Sequence, residues 1–135
     1  MIPISDINPA RNTPVISRIF MFVTVGVFIL IQPKNQIELF NFFYQYSAIP
    51  CELVKFSPIS EAQFYNNNCF YTQTSSIFPN KNIILSMVFA NFFHANFIHI
   101  LGNLWSFWIF GNNVEDKLGK SKFTIFLIFI GIISI

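Results

Sequence analysis

Two histidines and an asparagine at fixed spacing are the residues of this chain best suited to chemistry: His94, His99 and Asn103. On a helix of about 100° per residue, His94 and His99 lie about 140° apart, so they are poor joint ligands for a metal ion or haem. His99 and Asn103 lie about one turn apart and share a face. An imidazole N–H and a carboxamide NH₂ both donate hydrogen bonds, and two donors aimed at one point suit a developing oxyanion. The predicted chemistry needs no metal and no cofactor.

The helix that carries these residues is predicted to have one polar face and one aromatic face. The polar face holds Asn96, His99, Asn103 and Ser106. Trp105 and Trp108 fall on the opposite face, together with His94. The competing interpretation is packing, because Asn and His commonly hydrogen-bond across membrane helices for about 0.6–2 kcal/mol. Gly102 flanks the polar face and would let a neighbouring helix approach, so spacing alone favours packing over catalysis.

The composition of the chain indicates that lipid is its solvent. Hydrophobic residues make up 53% of the sequence and charged residues only 10%, against about 25% charged in a soluble domain. The net charge of +2 is too small to favour nucleic acid as a partner. Neither a basic stripe nor a glycine-rich phosphate loop is present. The expected partner is the lipid bilayer.

Runs of apolar residues predict an all-α, polytopic helical membrane protein. Spanning the bilayer takes roughly 17–25 apolar residues, and the runs divide the chain into six parts. These are a cytoplasmic tail at 1–14, a first transmembrane helix at 15–32, a long outer loop at 33–82, a second transmembrane helix at 83–110, a cytoplasmic loop at 111–122 and the start of a third transmembrane helix at 123–135.

The long loop at 33–82 leaves two questions open. Its aromatic residues 37–46 could form a helix lying in the membrane interface, or the whole loop could be irregular. Cys51 and Cys69 could form a disulfide or remain two thiols. The positive-inside rule favours an N-terminus and a 111–122 loop in the cytoplasm, because Arg11, Arg18 and three lysines flank them. The long loop would then lie outside, in an oxidising compartment.

Local sequence motifs resemble those of the rhomboid intramembrane serine proteases. Residues 93–104 read FHANFIHILGNL, which matches that family's pattern of His, four residues, His, three residues and Asn. Residues 104–111 read LWSFWIFG and residues 114–119 read VEDKLG, similar to the family's helix-end glycine and its Val-Glu-x-x-Leu-Gly loop. Residues 46–53 and 2–9 are also similar to segments of prokaryotic members.

The resemblance implies an endopeptidase that cleaves transmembrane segments of membrane proteins. In that family a serine in a Gly-x-Ser-Gly motif on the fourth helix is the nucleophile, and a histidine on the sixth helix is the base. His99 and Asn103 match the positions that line the oxyanion hole. His94 matches a structural position that supports the first loop, with Gly102 beside the site. The expected location is the plasma membrane of a prokaryote.

The nucleophile and the base are both missing from this sequence. Ser134, in the sequence GIISI, does not match Gly-x-Ser-Gly. The chain is therefore expected to be an N-terminal fragment of a partial rhomboid-like bundle and to be inactive alone. The alternatives are a non-catalytic rhomboid-like protein that binds transmembrane segments, and a small structural membrane protein. The 13 residues of the last apolar run (123–135) argue against the structural protein, because they are too few to cross the bilayer.

Overall fold

The chain folds into helices throughout the part that a computed structural model describes, which is residues 11–66, 68–70 and 75–133. The all-α prediction is thus confirmed, and an isolated bridge between Ser60 and Ser76 forms no strand. The predicted tail lies outside the described residues as far as position 10. The helices are α1 Val15–Gly26, α2 Gln36–Tyr46, α3 Pro50–Lys55, α4 Glu61–Tyr65, α5 Ile83–Phe89, α6 Phe97–Ser106, α7 Asn112–Leu118 and α8 Lys120–Ile133.

Several helices continue through turns of a different pitch. A π-helical turn, Val27–Ile31, extends α1, and a 3₁₀ turn, Ala90–Phe92, follows α5. The π-helical turn Phe107–Gly111 joins α6 to α7. No single described helix combines the length and apolar character needed to cross a membrane, although Ile83–Phe92 and Phe97–Leu118 satisfy both when taken together across their break.

The described residues divide into two compact units. The first unit holds the described residues up to Ile31 and Phe92–Ile130, and therefore α1, α6, α7 and most of α8. The second unit holds the described residues from Gln32 to Asn91 together with those from Gly131 onward, and therefore α2, α3, α4 and α5.

Aromatic contacts hold α1 against the segments that precede and follow α6 in the first unit. The ring of Phe20 lies 5.0 Å from that of Phe92 and 4.9 Å from that of Phe107, measured between centroids. Phe123 is buried and lies 6.2 Å from Phe107. A Cβ added at Gly111 would come within 3.2 Å of the Phe107 ring and 3.4 Å of Ser17 Oγ. A Cβ here would therefore press on the Phe107 ring, whereas its contact with Ser17 on α1 would be an ordinary van der Waals one.

The N-terminus of α1 is capped by a distant carboxylate. Pro14 precedes the helix and provides no side-chain cap, so the first N–H groups need acceptors from elsewhere. Glu115 accepts from Ile16 N–H at 3.0 Å, from Ser17 N–H at 2.8 Å and from the Ser17 hydroxyl at 2.8 Å. Both Ser17 and Glu115 are buried. The carboxylate thus satisfies buried donors and lies at the positive end of the helix dipole.

Both acidic side chains of α7 are stabilised in their charged form. Burial alone would raise the pKa of the Glu115 carboxyl, but the N–H groups of Ser17 and Ile16 and the Ser17 hydroxyl outweigh it and hold the pKa below its usual value. The N–H groups of Arg11 and Asn12 and the Asn12 side chain likewise lower the pKa of Asp116.

Helix α7 replaces part of the polar loop predicted at 111–122, and it ends at Gly119, where φ is +77°.

Short helices make up the second unit, and three of them, α2, α4 and α5, carry their own side-chain caps. Residues 33–82 of this unit were predicted as an outer loop. Helix α2 covers the aromatic stretch for which an interfacial helix was one of two interpretations. The Asn35 side chain accepts from Ile37 N–H at 2.9 Å and starts α2. Ser60 and Gln63 form a capping box at the start of α4, and Asn82 caps α5. Local capping therefore sets these helices, and α2, α3 and α4 lack the long apolar runs of membrane spans.

A buried ion pair and a disulfide cross-link the second unit. Lys81 Nζ lies 2.6 Å from Glu52 Oε2, with both side chains about 1% exposed. Lys81 also donates to Tyr44 O at 2.7 Å, and Ile59 N–H donates to Glu52 Oε1 at 3.0 Å. Each charge thus has a partner and a further hydrogen bond, as buried ions require. Cys51 and Cys69 are bonded to each other, which answers the question that their spacing left open.

Candidate oxyanion site

The helix that carries the candidate residues begins later than predicted. A continuous helix was predicted over 83–110, but residues 93–96 are not helical and α6 begins at Phe97. Asn96 is the reason, because its Oδ1 accepts from His99 N–H at 2.9 Å and caps the new helix. Asn96 is therefore a capping residue and not a member of the polar face. The angle assigned to His94 from a continuous helix is wrong for the same reason.

The break brings all three candidate residues together in the first unit. Asn103 Nδ2 lies 3.0 Å from His94 Nε2. The rings of His94 and His99 lie 5.2 Å apart between centroids and meet edge to face. His94 is buried, whereas His99 and Asn103 are exposed. His94 thus lies next to the His99 and Asn103 pair, where the sequence analysis had placed it on the opposite face.

The hydrogen bonds of His94 define its tautomer. His94 Nδ1 lies 3.2 Å from Phe92 O, and a carbonyl oxygen can only accept, so Nδ1 carries the proton. Nε2 then presents a lone pair, which accepts the N–H of Asn103. One neutral tautomer satisfies both contacts. Because that N–H is directed at His94, the orientation of the Asn103 carboxamide is fixed.

His99 and Asn103 form a pair of donors one turn apart on α6. Both lie within the helix Phe97–Ser106, so the shared face predicted from their spacing follows from its geometry. The second N–H of the Asn103 carboxamide is not used in the bond to His94, and the His99 ring can donate one N–H. Two exposed donors on one face can bind a negatively charged oxygen between them.

Three other residues of the predicted helix have different surroundings. A Cβ added at Gly102 would meet open space among the described residues, so no helix approaches there. Trp105 and Trp108 line an apolar groove together with α1.

The described residues contain no group of three or more His, Cys, Asp or Glu side chains arranged to hold a metal ion.

Sequence reasoning missed the role of Glu115, although it lies in the VEDKLG segment. Its hydrogen bonds reach Ser17, 98 residues away in the chain. Pro14 was the available signal, because a helix that starts after a residue without a capping side chain needs an acceptor from elsewhere. Gly119, at the end of the same segment, supplies the positive φ that stops α7.

Comparison with known proteins agrees with the motifs. A family model, the rhomboid domain, matches residues 81–135. A protein of Acanthamoeba polyphaga mimivirus named "Putative rhomboid protein L523" is 36% identical over 59 residues, which cover 44% of this chain and 34% of that protein. The chain therefore spans about a third of the length of this relative. No solved structure gives a significant match.

Both matches are to rhomboid proteins, and they support a relationship of this chain to the rhomboid family. The matched region contains α5, α6, α7 and α8, and with them His94, His99 and Asn103. Most of the second unit precedes the matched region.

Proposed function

We propose that this chain is the N-terminal part of a rhomboid-type intramembrane serine endopeptidase, which cleaves transmembrane segments of membrane proteins. The observation that carries the proposal is the pair of donors on α6, His99 and Asn103, with the Asn103 carboxamide oriented by His94. The pair lies inside the region matched by the rhomboid domain model.

The proposed role of this pair is to stabilise the oxyanion of peptide hydrolysis. When a serine oxygen attacks the scissile carbonyl, the carbonyl oxygen gains negative charge. The His99 N–H and the second Asn103 N–H would donate to that oxygen, and each donor fixed in advance lowers the barrier. The serine nucleophile and the histidine base would come from residues after position 135, so the chain alone is expected to be inactive.

His94 supports this role by holding the Asn103 carboxamide in one orientation. Its buried imidazole accepts one N–H of Asn103 and donates to Phe92 O. A carboxamide held in this way loses less rotational freedom when an oxyanion forms, which is the advantage of a preorganised donor. The position assigned to His94 is thus a structural one, close to the reacting atoms but not in contact with them.

The proposed membrane topology follows the charges and the cysteines. The N-terminal tail and residues 111–122 would lie in the cytoplasm, where Lys117, Lys120 and Lys122 satisfy the positive-inside rule. Residues 33–82 would lie outside, in a compartment that favours the bond between Cys51 and Cys69. The proposed transmembrane segments are 15–32, 83–110 and the segment that starts at 123, with the break before Phe97 inside the second of them.

Reaction of the natural protein with a serine-directed fluorophosphonate tests the proposed activity. The membrane-embedded protein, expressed from its own reading frame, is expected to be labelled on a serine after position 135, within a Gly-x-Ser-Gly sequence. A matched sample denatured before labelling controls for non-specific reaction. A reading frame without that sequence, or a folded protein that is not labelled, would favour a non-catalytic relative that binds transmembrane segments.

A further inference from the structure

An open apolar groove runs between α1 and α6 in the first unit. Its volume is about 750 Å³. Met21, Phe22 and Val25 line it from α1, and the α6 side includes Leu101 and Trp105. Phe22 is 78% exposed, although it lies among apolar neighbours. Exposed apolar surface of this extent is typical of a site for another apolar molecule.

The groove has a defined direction. Ser17 lies near Gly111 and Phe20 packs on Phe107, so the chain direction of α1 opposes that of α6. Arg18 therefore lies at the Trp108 end of the groove, which is the end nearest α7. From Arg18 to Val25 the groove follows α1 for about 10 Å, at 1.5 Å per residue. One end is cationic and the remaining length is apolar.

Arg18 is the charged residue among those that line the groove, and no described residue forms an ion pair with it. The acidic side chains nearby, Glu115 and Asp116, are already engaged by N–H groups at the start of α1 and before it. Lys117 and Lys120, which follow α6 at the same end, are exposed and add positive charge. An amphiphile with a negatively charged head would complement this end of the groove.

We infer that the groove between α1 and α6 binds an anionic phospholipid, with its phosphate at Arg18 and an acyl chain along Trp105, Trp108 and the facing side of α1. The planar guanidinium donates two parallel hydrogen bonds to a phosphate. A headgroup with net negative charge is attracted more strongly to this cationic end than phosphatidylcholine, whose choline ammonium cancels the charge of its phosphate. The apolar length accepts hydrocarbon without leaving any polar group unpaired. This site is separate from the His99 and Asn103 pair and does not depend on the proposed protease activity.

The tryptophans of the chain make this inference directly measurable. The sequence contains 2 tryptophans, and both Trp105 and Trp108 line the groove. Their fluorescence therefore reports on this surface alone. The chain is reconstituted in phosphatidylcholine bilayers that contain a small, equal fraction of either acyl-brominated phosphatidylglycerol or acyl-brominated phosphatidylcholine. The bromine atoms quench tryptophans that they contact.

The expected result is a preference for phosphatidylglycerol of about fivefold in apparent association, the factor that corresponds to ~1 kcal/mol for one basic side chain. Arg18→Gln is expected to reduce this preference to nearly one, and Arg18→Lys to retain most of it. Arg11→Gln makes the same change of net charge outside the groove lining and is expected to keep the preference. Helix content, measured by circular dichroism, should be equal in all four proteins.

Three outcomes would overturn the inference. Equal quenching by the two brominated lipids in the unchanged chain would show that the groove does not select the anionic headgroup. Tryptophans protected from both lipids would show that protein covers the groove, either a second copy or another segment. A preference that survives Arg18→Gln would remove Arg18 from the site.

Discussion

The two units of this chain are held together by different interactions. In the first unit, one buried carboxylate, Glu115, caps α1 from 98 residues away, and aromatic rings supply the neighbouring contacts. In the second unit, the ion pair of Glu52 with Lys81 and a disulfide cross-link short helices that carry their own caps. The unit that contains the family motifs thus depends on few long-range polar contacts. The second unit, most of which precedes those motifs, is instead cross-linked by an ion pair and a disulfide.

This difference fits the environments proposed for α1 and α6, in the bilayer, and for α2, α3 and α4, outside it. Helices in lipid satisfy their own backbone, so a single well-placed capping group can be enough to fix one helix end. Short helices outside the bilayer lack the length for independent stability and need cross-links or buried pairs. Long-range polar contacts in the first unit are therefore concentrated on two neighbouring carboxylates of α7, Glu115 and Asp116. In the second unit they are shared among several parts of the chain.

Breaking the ion pair tests the second unit and has the larger expected effect on stability. Glu52→Gln leaves the Lys81 ammonium buried without its counter-charge, and removal of one partner of such a pair costs about 3–5 kcal/mol. Hydrogen exchange of the amides in α2, α3 and α5 is expected to accelerate, while the tryptophan fluorescence of the first unit stays unchanged. Glu61→Gln, at an exposed position in the same unit, is the matched control.

Adding Lys81→Met to Glu52→Gln sharpens this test. The double variant no longer carries an unpaired buried charge, so part of the lost protection should return. If Glu52→Gln leaves exchange in the second unit unchanged, the pair does not hold that unit together and the comparison fails.

Removing the carboxylate cap tests the first unit, with a smaller expected effect. Glu115→Gln keeps one acceptor but loses the charge, at a cost of about 1–2 kcal/mol. Because the pKa of Glu115 is lowered in the folded state, its stabilisation is complete above the ordinary pKa of glutamate, roughly 4.3. It is lost as the pH falls through the lowered pKa of the folded protein.

Unfolding in mixed micelles, followed by the fluorescence of Trp105 and Trp108, measures this effect. The stability gap is the difference in free energy of unfolding between the unchanged chain and Glu115→Gln. This gap should have its full size at neutral pH and should disappear in acid. Asp116, whose pKa is also lowered, is present in both proteins and cancels in the difference. Glu38→Gln, at an exposed position of α2, should show no such gap. A gap that stays constant into acid would contradict the role of the charged carboxylate.

Part of this structure could be predicted from sequence because it depends on local periodicity. The apolar runs predicted α1 and α8, and the four-residue spacing predicted the common face of His99 and Asn103. The break before α6 was missed because a long apolar run favours one continuous helix, although Asn96 followed by a periodic apolar segment is an N-cap pattern.

Other features depend on contacts that no local pattern contains. Helices α3 and α4 are too short to show apolar periodicity, and the capping box of α4 becomes recognisable only beside the helix that it starts. The contact of Asn103 with His94 exists because the chain turns at 93–96, so helical angles could not predict it. Likewise, the bond between Glu115 and Ser17 joins residues that sequence places far apart.

The central claim is that Asn103 donates a hydrogen bond to the oxyanion of peptide hydrolysis, and its most direct test is the turnover of a transmembrane substrate. The measurement compares kcat of the full-length protein that contains this chain with kcat of its Asn103→Ala variant. Loss of one oxyanion donor is expected to lower kcat by about 10²–10³-fold. Asn41→Ala, at an exposed position of α2, should leave kcat unchanged. Equal turnover by the Asn103→Ala variant and the unchanged protein would contradict the account.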